Sequence, residues 1–149
     1  MPQRTLLVCL GNICRSPMAV GVMRAKARAG GFDLIVEGAG TAGYHEGEPP
    51  DRRAVAAARA RGYDISMLRA RRAVAADFGA FDHILVMDKA NLAAMTRLRP
   101  PGTKAKLGLL PDHAPGPARE VPDPYYDGSF DRALDLIEAA ADGFLATLR

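Results

Sequence analysis

The chain has 149 residues, a formal net charge of +3, 48% hydrophobic residues and 25% charged residues. Such a length and composition are typical of one globular domain, here residues 1–149, with a buried core. No stretch reaches the roughly 18 apolar residues of a membrane-spanning helix, and the apolar run near the N-terminus is too short for a signal peptide. The arginines are scattered over helical segments, which favours solvated helix faces over nucleic-acid binding.

Cysteine usage indicates a reducing compartment. The chain has two cysteines, Cys9 and Cys14, which make no disulfide framework, whereas structural disulfides are typical of secreted proteins. We therefore expect a cytoplasmic protein that binds neither membranes nor nucleic acids.

Short apolar runs alternate with helical patterns along the chain. The predicted elements are, in order, strand 4–10, helix 16–29, strand 34–36, helix 50–62, strand 83–87, helix 89–98, strand 106–110 and helix 129–148. Residues 38–50 and 111–128 are predicted loops, and residues 64–78 are predicted to be irregular before a short helix. This alternation predicts a single-domain α/β fold, mainly a four-stranded parallel sheet with helices on both faces. Functional residues of such sheets lie beyond the carboxyl ends of the strands.

The segment between the first strand and the first helix carries the strongest chemical signal. It runs from Cys9 to Arg15, and Ser16 and Pro17 suit the N-cap and the first position of the helix that follows. Backbone N–H groups in such a turn bind anions, assisted by the helix N-terminus. A thiol beside a guanidinium is favoured there as the thiolate, and Arg15 can donate two hydrogen bonds to a phosphate. We predict a phosphate loop between strand 1 and helix 1, with a nucleophilic sulfur, as in a phosphatase.

Three other interpretations of this segment explain less. Zinc sites favour paired cysteines at closer spacing with a histidine nearby. A nucleotide-binding loop requires a lysine that the segment lacks. A buried structural cysteine does not account for Gly11, Asn12, Arg15 and Ser16 occurring together.

Residues 9–17 (CLGNICRSP) resemble the phosphate loop of the low-molecular-weight protein tyrosine phosphatases. Further stretches similar to that family follow in the same order, namely residues 43–47 (GYHEG), 50–53 (PDRR), 87–91 (MDKAN) and 123–126 (DPYY). The resemblance implies hydrolysis of phosphotyrosine and small aryl phosphates through a phosphocysteine, without metal or cofactor. It also implies phosphotyrosine proteins and a tyrosine kinase as partners, and phosphate or vanadate as inhibitors.

The resemblance also assigns roles to individual residues. Cys9 is the expected nucleophile, Arg15 the phosphate clamp and Asp123, which stands between two prolines in the long loop, the general acid and base. Ser16 is expected to hydrogen-bond the leaving thiolate, and Asp88 to brace Arg15, although a helix cap is an equal alternative for Asp88 and for Asp51. The expected phosphate-binding residues are Leu10, Gly11, Asn12, Ile13, Cys14, Arg15 and Ser16.

Aromatic residues predict the substrate side of the site. Tyr44, Tyr125 and Tyr126 fall on two candidate rim loops, where they would wall a flat phenyl ring; for Tyr126 a half-buried loop anchor is the alternative. Ile13 completes the predicted rim and favours an aromatic ring over a guanidinium. A protein-arginine phosphatase on the same scaffold and a catalytically impaired phosphate- or phosphopeptide-binding module remain the alternative functions.

Three further expectations concern the loop and its surroundings. Cys9 and Cys14 should form a reversible disulfide, since a reactive thiol beside a second thiol is typical of redox sensors. Asn12 should have a positive φ and be held by Ser16 or backbone groups, because Gly38 and Leu68 stand where many relatives have Ser and His. The three histidines, His45, His83 and His113, are predicted to be structural or surface residues.

Overall fold

A computed structural model describes residues 2–149. Its centre is a four-stranded parallel sheet of β1 (Gln3–Cys9), β2 (Leu34–Gly40), β3 (His83–Val86) and β4 (Lys106–Leu109). The strands lie in the order β2-β1-β3-β4, so the N-terminal strand is central. The predicted four-stranded parallel sheet is confirmed.

Helices cover both faces of the sheet, as predicted. They are α1 (Arg15–Ala29), α2 (Arg52–Ala60), α3 (Asp77–Ala80), α4 (Lys89–Leu98), α5 (Pro124–Asp127) and α6 (Phe130–Ala146). Side chains alternate along β1, so Leu7 packs in a core with α1, α2 and α6, while Leu6 and Val8 pack in a second core with α3 and α4. Within residues 2–149, no helix has both the length and the apolar character needed to cross a membrane.

The second strand is longer than predicted. Residues 38–40 were expected in a loop, but β2 continues to Gly40, which pairs with Cys9. A Cβ atom on Gly38 would lie 2.9 Å from Asn12 Nδ2, and one on Gly40 would lie 2.8 Å from the Leu10 carbonyl oxygen. These glycines therefore allow β2 to approach the phosphate loop closely; they do not form a turn.

The start of α1 also differs from the prediction. The helix begins at Arg15, its N-cap is Cys14, and no side chain caps it. The prediction of Ser16 as N-cap and Pro17 as the first helical residue is wrong, since they are the second and third residues of α1. The Ser16 hydroxyl lies 3.1 Å from the Cys9 sulfur instead of capping the helix.

The predicted long loop after β4 is only partly irregular. It contains a turn of 3₁₀ helix at Leu110–His113 and the one-turn helix α5, whose N-cap is Asp123. The Val121 N–H donates to the Met87 carbonyl, 2.9 Å away, and so ties this segment to the end of β3. The segment that follows β4 therefore meets the end of β3 at the carboxyl edge of the sheet.

Candidate active site

The sulfur of Cys9 lies at the centre of the loop between β1 and α1. The backbone N–H groups of Asn12 and Ser16 point at Cys9 Sγ from 3.3 and 3.4 Å, and Ser16 Oγ lies 3.1 Å from it. Cys9 is only 3% exposed. Two backbone N–H donors and a hydroxyl thus surround this sulfur, as in an anion-binding loop at a helix N-terminus.

Asn12 holds the loop in shape. Its φ is +57°, as predicted, and it is the one residue other than glycine with a positive φ among residues 2–149. Its Nδ2 donates to Ser16 Oγ over 2.6 Å, and its Oδ1 accepts from the Arg71 N–H over 3.1 Å. Because Ser16 Oγ accepts this bond, its own proton is free to point at Cys9. The expected bonding of Asn12 by Ser16 and a backbone group is confirmed.

Arg15 is buried beside the loop and connects three segments. Its Nη1 donates to Asp88 Oδ2 at 2.7 Å and to the Val121 carbonyl at 3.1 Å, and its Nη2 faces Asp123 Oδ2 at 3.5 Å. Burial lowers the pKa of Arg15, but the charge of Cys9 and the contacts with Asp88 and Asp123 more than compensate, so the pKa lies above its ordinary value. The guanidinium is therefore a permanent positive charge next to the sulfur.

Asp88 satisfies both of the roles considered for it. It is the N-cap of α4, where Oδ1 accepts from the Asn91 N–H and Asn91 Oδ1 accepts from the Asp88 N–H. Its other oxygen binds Arg15. One carboxylate thus fixes the start of a helix and braces the guanidinium.

Asp123 reaches the same site from the opposite side. Its Oδ1 accepts from the Tyr125 N–H at 3.1 Å, which makes it the N-cap of α5, and its Oδ2 is the oxygen that faces Arg15. Its side chain is 31% exposed. A carboxyl group here has access to water and to a ligand bound over the loop.

A pocket opens above the sulfur. Every predicted rim residue lines it, and the full lining is Cys9, Leu10, Gly11, Ile13, Cys14, Arg15, Tyr44, His45, Asp123, Tyr125 and Tyr126. Tyr44 and Tyr126 are 75% and 80% exposed, so Tyr126 is not a half-buried anchor. The rings of Tyr125 and Tyr126 meet edge to face, with centroids 5.0 Å apart.

One histidine belongs to this pocket, contrary to the sequence-based expectation. His45 lies against the phosphate loop: a Cβ on Gly11 would be 3.1 Å from its Cδ2. Its Nδ1 lies 3.0 Å from Glu48 Oε2. The sequence did offer one indication that His45 lines the pocket, since it directly follows Tyr44 in the predicted rim loop. His83 and His113 lie elsewhere, both edge-on to Phe144.

Two contacts at the start of α2 also escaped sequence reasoning. Asp51 caps α2, as considered, but its N–H also donates to the Ile13 carbonyl in the phosphate loop, 2.9 Å away. Arg53 binds both Asp51 and the Tyr125 carbonyl. The start of α2 therefore bridges the phosphate loop and α5.

Cys14 is a buried thiol. It is 4% exposed, and burial, followed by the charges of Asp51 and Cys9, raises its pKa to about 12. Cys14 is therefore protonated at neutral pH.

A parallel α/β sheet with a thiol inside an anion-binding loop, flanked by a buried guanidinium and a carboxylate, belongs to the class of phosphoric monoester hydrolases. The family follows from comparison with known proteins. The model of the low molecular weight phosphotyrosine protein phosphatase family matches residues 4–149, and the chain belongs to that family.

Relatives and solved structures agree with this assignment. A low molecular weight protein-tyrosine-phosphatase of Streptomyces coelicolor is 41% identical, over 100% of this chain and 95% of that protein. The structure of a protein tyrosine phosphatase from Entamoeba histolytica matches with a TM-score of 0.92 at 36% identity, over 98% of this chain and 96% of that one. A Drosophila arginine phosphatase matches with a TM-score of 0.90 at 28% identity, over 97% of both chains.

Proposed function

We propose that this phosphatase hydrolyses phosphotyrosine in proteins, and small aryl phosphates, through a phosphocysteine. In the first step the Cys9 thiolate attacks phosphorus and the bond to the aryl oxygen breaks. The carboxyl proton of Asp123 passes to that oxygen, so the product leaves as a neutral phenol. Arg15 and the loop N–H groups bind the phosphoryl oxygens throughout the transfer.

The second step releases phosphate. The Asp123 carboxylate takes a proton from a water molecule, whose oxygen attacks the phosphorus of the phosphocysteine. The sulfur–phosphorus bond breaks, inorganic phosphate leaves and the Cys9 thiolate is regenerated. The hydroxyl of Ser16 donates to the departing sulfur, because its acceptor side is already occupied by the Asn12 amide.

A single observation carries this proposal. Cys9 Sγ receives the N–H groups of the loop, and Arg15 beside it contacts Asp123 Oδ2 at 3.5 Å. The nucleophile, the phosphate clamp and the acid therefore surround one pocket, which is what transfer through sulfur followed by hydrolysis requires.

The pocket mouth favours an aromatic phosphate ester. Tyr44, Tyr125 and Tyr126 present ring faces and edges on which a phenyl ring can stack. Ile13 offers only methyl and methylene groups, so a guanidinium would leave its N–H donors without partners there. Phosphotyrosine proteins are therefore the proposed substrates.

The test is hydrolysis of p-nitrophenyl phosphate in EDTA, with vanadate as inhibitor, by the wild type and by Cys9→Ser. We expect turnover by the wild type and a loss of kcat of at least about 10³-fold in Cys9→Ser, with vanadate binding retained. Retention of more than a few per cent of kcat would contradict the role of the sulfur. A wild type that binds vanadate without turnover would instead be a phosphate-binding module.

The role of Asp123 is tested by the leaving group. Loss of a general acid costs about 10²–10⁴-fold, and the loss in Asp123→Ala should be larger for phenyl phosphate than for p-nitrophenyl phosphate, whose leaving group needs less protonation. Asp112→Ala, which changes an exposed carboxylate outside the pocket, is the matched control. An equal loss with both esters would remove Asp123 from the acid role.

Substrate class is tested at Ile13. The likeness to the Drosophila arginine phosphatase makes phosphoarginine the competing substrate. We expect kcat/KM to be higher on phosphotyrosine peptides than on phosphoarginine peptides, and Ile13→Thr to shift the ratio towards phosphoarginine. A wild type that acts equally well on both would overturn the assignment to phosphotyrosine.

A further inference from the structure

The first turn of α2 is joined to the phosphate loop. The Asp51 N–H donates to the Ile13 carbonyl at 2.9 Å. Arg53 donates two hydrogen bonds to the Asp51 carboxylate, from Nε to Oδ1 at 3.1 Å and from Nη2 to Oδ2 at 3.0 Å. A two-bond contact of this kind fixes the plane of a guanidinium as well as its position.

The same guanidinium is joined to α5. Arg53 Nη2 also donates to the Tyr125 carbonyl at 3.2 Å. The group stacks over the rings of Tyr125 and Phe130, with 5.6 and 5.0 Å between Cζ and the ring centroids. Arg53 therefore contacts α5 through the carbonyl and the ring of Tyr125, and the start of α6 through the ring of Phe130.

The helix that it holds carries the proposed acid. Asp123 Oδ1 accepts from the N–H of Tyr125, the residue whose carbonyl Arg53 binds. The helix α5 has only four residues, and a helix of this length is not stable without tertiary contacts. The second support of Asp123 is the 3.5 Å contact with Arg15, which is long for a hydrogen bond.

The charge of Arg53 is already compensated. Its hydrogen bond to Asp51 holds the pKa of that carboxyl below its ordinary value, so both groups are ionised together. Arg53 also lies outside the lining of the substrate pocket. Its contribution to the reaction is therefore geometric.

We propose that Arg53 is a positioning residue that fixes the distance between the general acid Asp123 and the phosphate loop, through Asp51 on one side and Tyr125 on the other. This inference rests on the proposed function. Displacement of a reacting group by about 1 Å can cost on the order of 10²-fold in rate. Loss of Arg53 should impair protonation of the leaving group and spare phosphate binding.

The test compares Arg53→Gln with Arg52→Gln, which removes the same charge from the exposed neighbouring residue. For Arg53→Gln we expect kcat/KM to fall about 10–100-fold with phenyl phosphate and less than about threefold with p-nitrophenyl phosphate. Vanadate affinity should not change, and Arg52→Gln should match the wild type with both esters. A merely structural role would reduce both rates equally or weaken vanadate binding.

Two further variants make the result decisive. Arg53→Lys keeps the charge without the planar pair of donors and should show the same leaving-group selectivity as Arg53→Gln; full recovery by Lys would overturn the geometric role. In the Asp123→Ala background, Arg53→Gln should have little further effect, because the group it positions is gone. If Asp123→Ala shows selective loss and neither Arg53 variant does, only this inference fails. If Asp123→Ala itself lacks selectivity, the assignment of the acid fails.

Discussion

Asn12 shows how one side chain can offset an unfavourable backbone conformation. A residue other than glycine at φ +57° carries strain on the order of 1–3 kcal/mol. Both ends of its amide stabilise this conformation: Nδ2 donates to Ser16 Oγ, and Oδ1 accepts from the Arg71 N–H. The strained residue thereby directs its own N–H at the Cys9 sulfur.

Gly38→Ala tests how tightly that amide is fixed. The added Cβ would lie 2.9 Å from Asn12 Nδ2 and 3.2 Å from Val20 Cγ2, so the amide must move away from Ser16. We expect kcat/KM for p-nitrophenyl phosphate to fall about tenfold or more. Gly79→Ala, where a Cβ meets nothing within 4 Å, is the control. Wild-type activity in Gly38→Ala would mean that the loop tolerates a displaced Asn12.

Cys14 should limit the rate at which the predicted disulfide between Cys9 and Cys14 forms. Peroxide converts the Cys9 thiolate into a sulfenic acid. The Cys14 thiolate then attacks that sulfur, the sulfur–oxygen bond breaks, and a disulfide and hydroxide form. Since the pKa of Cys14 is raised to about 12, the thiolate fraction increases about tenfold per pH unit below that value. We therefore expect disulfide formation, measured by mass spectrometry after a peroxide pulse, to accelerate between pH 6.5 and 8.5. Cys14→Ser should accumulate sulfinic acid on Cys9. A rate of disulfide formation that does not change with pH would contradict this order of events.

At the level of secondary structure, helix starts bring the residues of the candidate site together. Asp88 at the start of α4, Asp51 at the start of α2 and Asp123 at the start of α5 are all N-caps. Each also holds a group of the site: Asp88 the guanidinium of Arg15, Asp51 the backbone of Ile13, and Asp123 the same guanidinium from the other side. Capping thus fixes the Asp88 and Asp123 carboxylates in the directions that the proposed mechanism requires.

The two roles of Asp88 can be separated by substitution. Asp88→Asn keeps one oxygen for the N–H of Asn91 but loses the second oxygen, which binds Arg15. We expect kcat/KM to fall in both Asp88→Asn and Asp88→Ala, with only the alanine variant losing a further ~0.5–2 kcal/mol of unfolding free energy through the missing cap. Urea unfolding of the two variants side by side measures this difference. Equal stabilities would show that the cap contributes nothing.

At the level of the whole molecule, the site adjoins the core: Cys9, Ile13 and Cys14 of the phosphate loop belong to the core that the sheet forms with α1, α2 and α6. The site gathers at the carboxyl edge of the sheet, where the segments after β1, β2 and β4 line the pocket and Asp88, just after β3, binds Arg15. On the face covered by α6, Phe144 lies between the rings of His83 and His113, with centroid distances of 5.1 and 5.3 Å. Burial lowers the pKa of both histidines from 6.5, so the folded protein favours their neutral forms.

These two histidines should make the protein less stable in mild acid. Below pH 6.5 the unfolded chain binds protons that the folded protein does not take up until lower pH, so stability falls as the pH falls through this range. We expect the Tm of the wild type to decrease from pH 7 to 5 and the decrease to be smaller in a double variant, His83→Gln with His113→Gln. Carboxylates with a lowered pKa, such as Asp51, reduce stability only below about pH 5, outside this range. An equal decrease of Tm with pH in the wild type and the double variant would contradict this explanation.

Local patterns of the sequence were enough for the fold class and the centre of the site. Apolar runs alternating with helical patterns predicted the parallel sheet, because strand and helix periodicities are local properties. The phosphate loop was predictable since Cys9 and Arg15 lie in one short segment whose backbone makes the anion site. Asp123 was predictable from its flanking prolines and its resemblance to a known motif, and Tyr44, Tyr125 and Tyr126 from their places in the rim loops.

The tertiary structure alone decided how these parts are held. The bond from the Arg71 N–H to Asn12 spans 59 residues, and that from Arg53 to Tyr125 spans 72. Each of these bonds joins a side chain to a backbone group. Because backbone groups are common to nearly all residues, no pattern of side chains in the sequence predicts such a bond. The extension of β2 through Gly38 likewise depends on the space beside Asn12. The sequence by itself determined which groups form the proposed site, because their identity is local. Their distances depend on contacts between segments far apart in the chain, which only the tertiary structure decides.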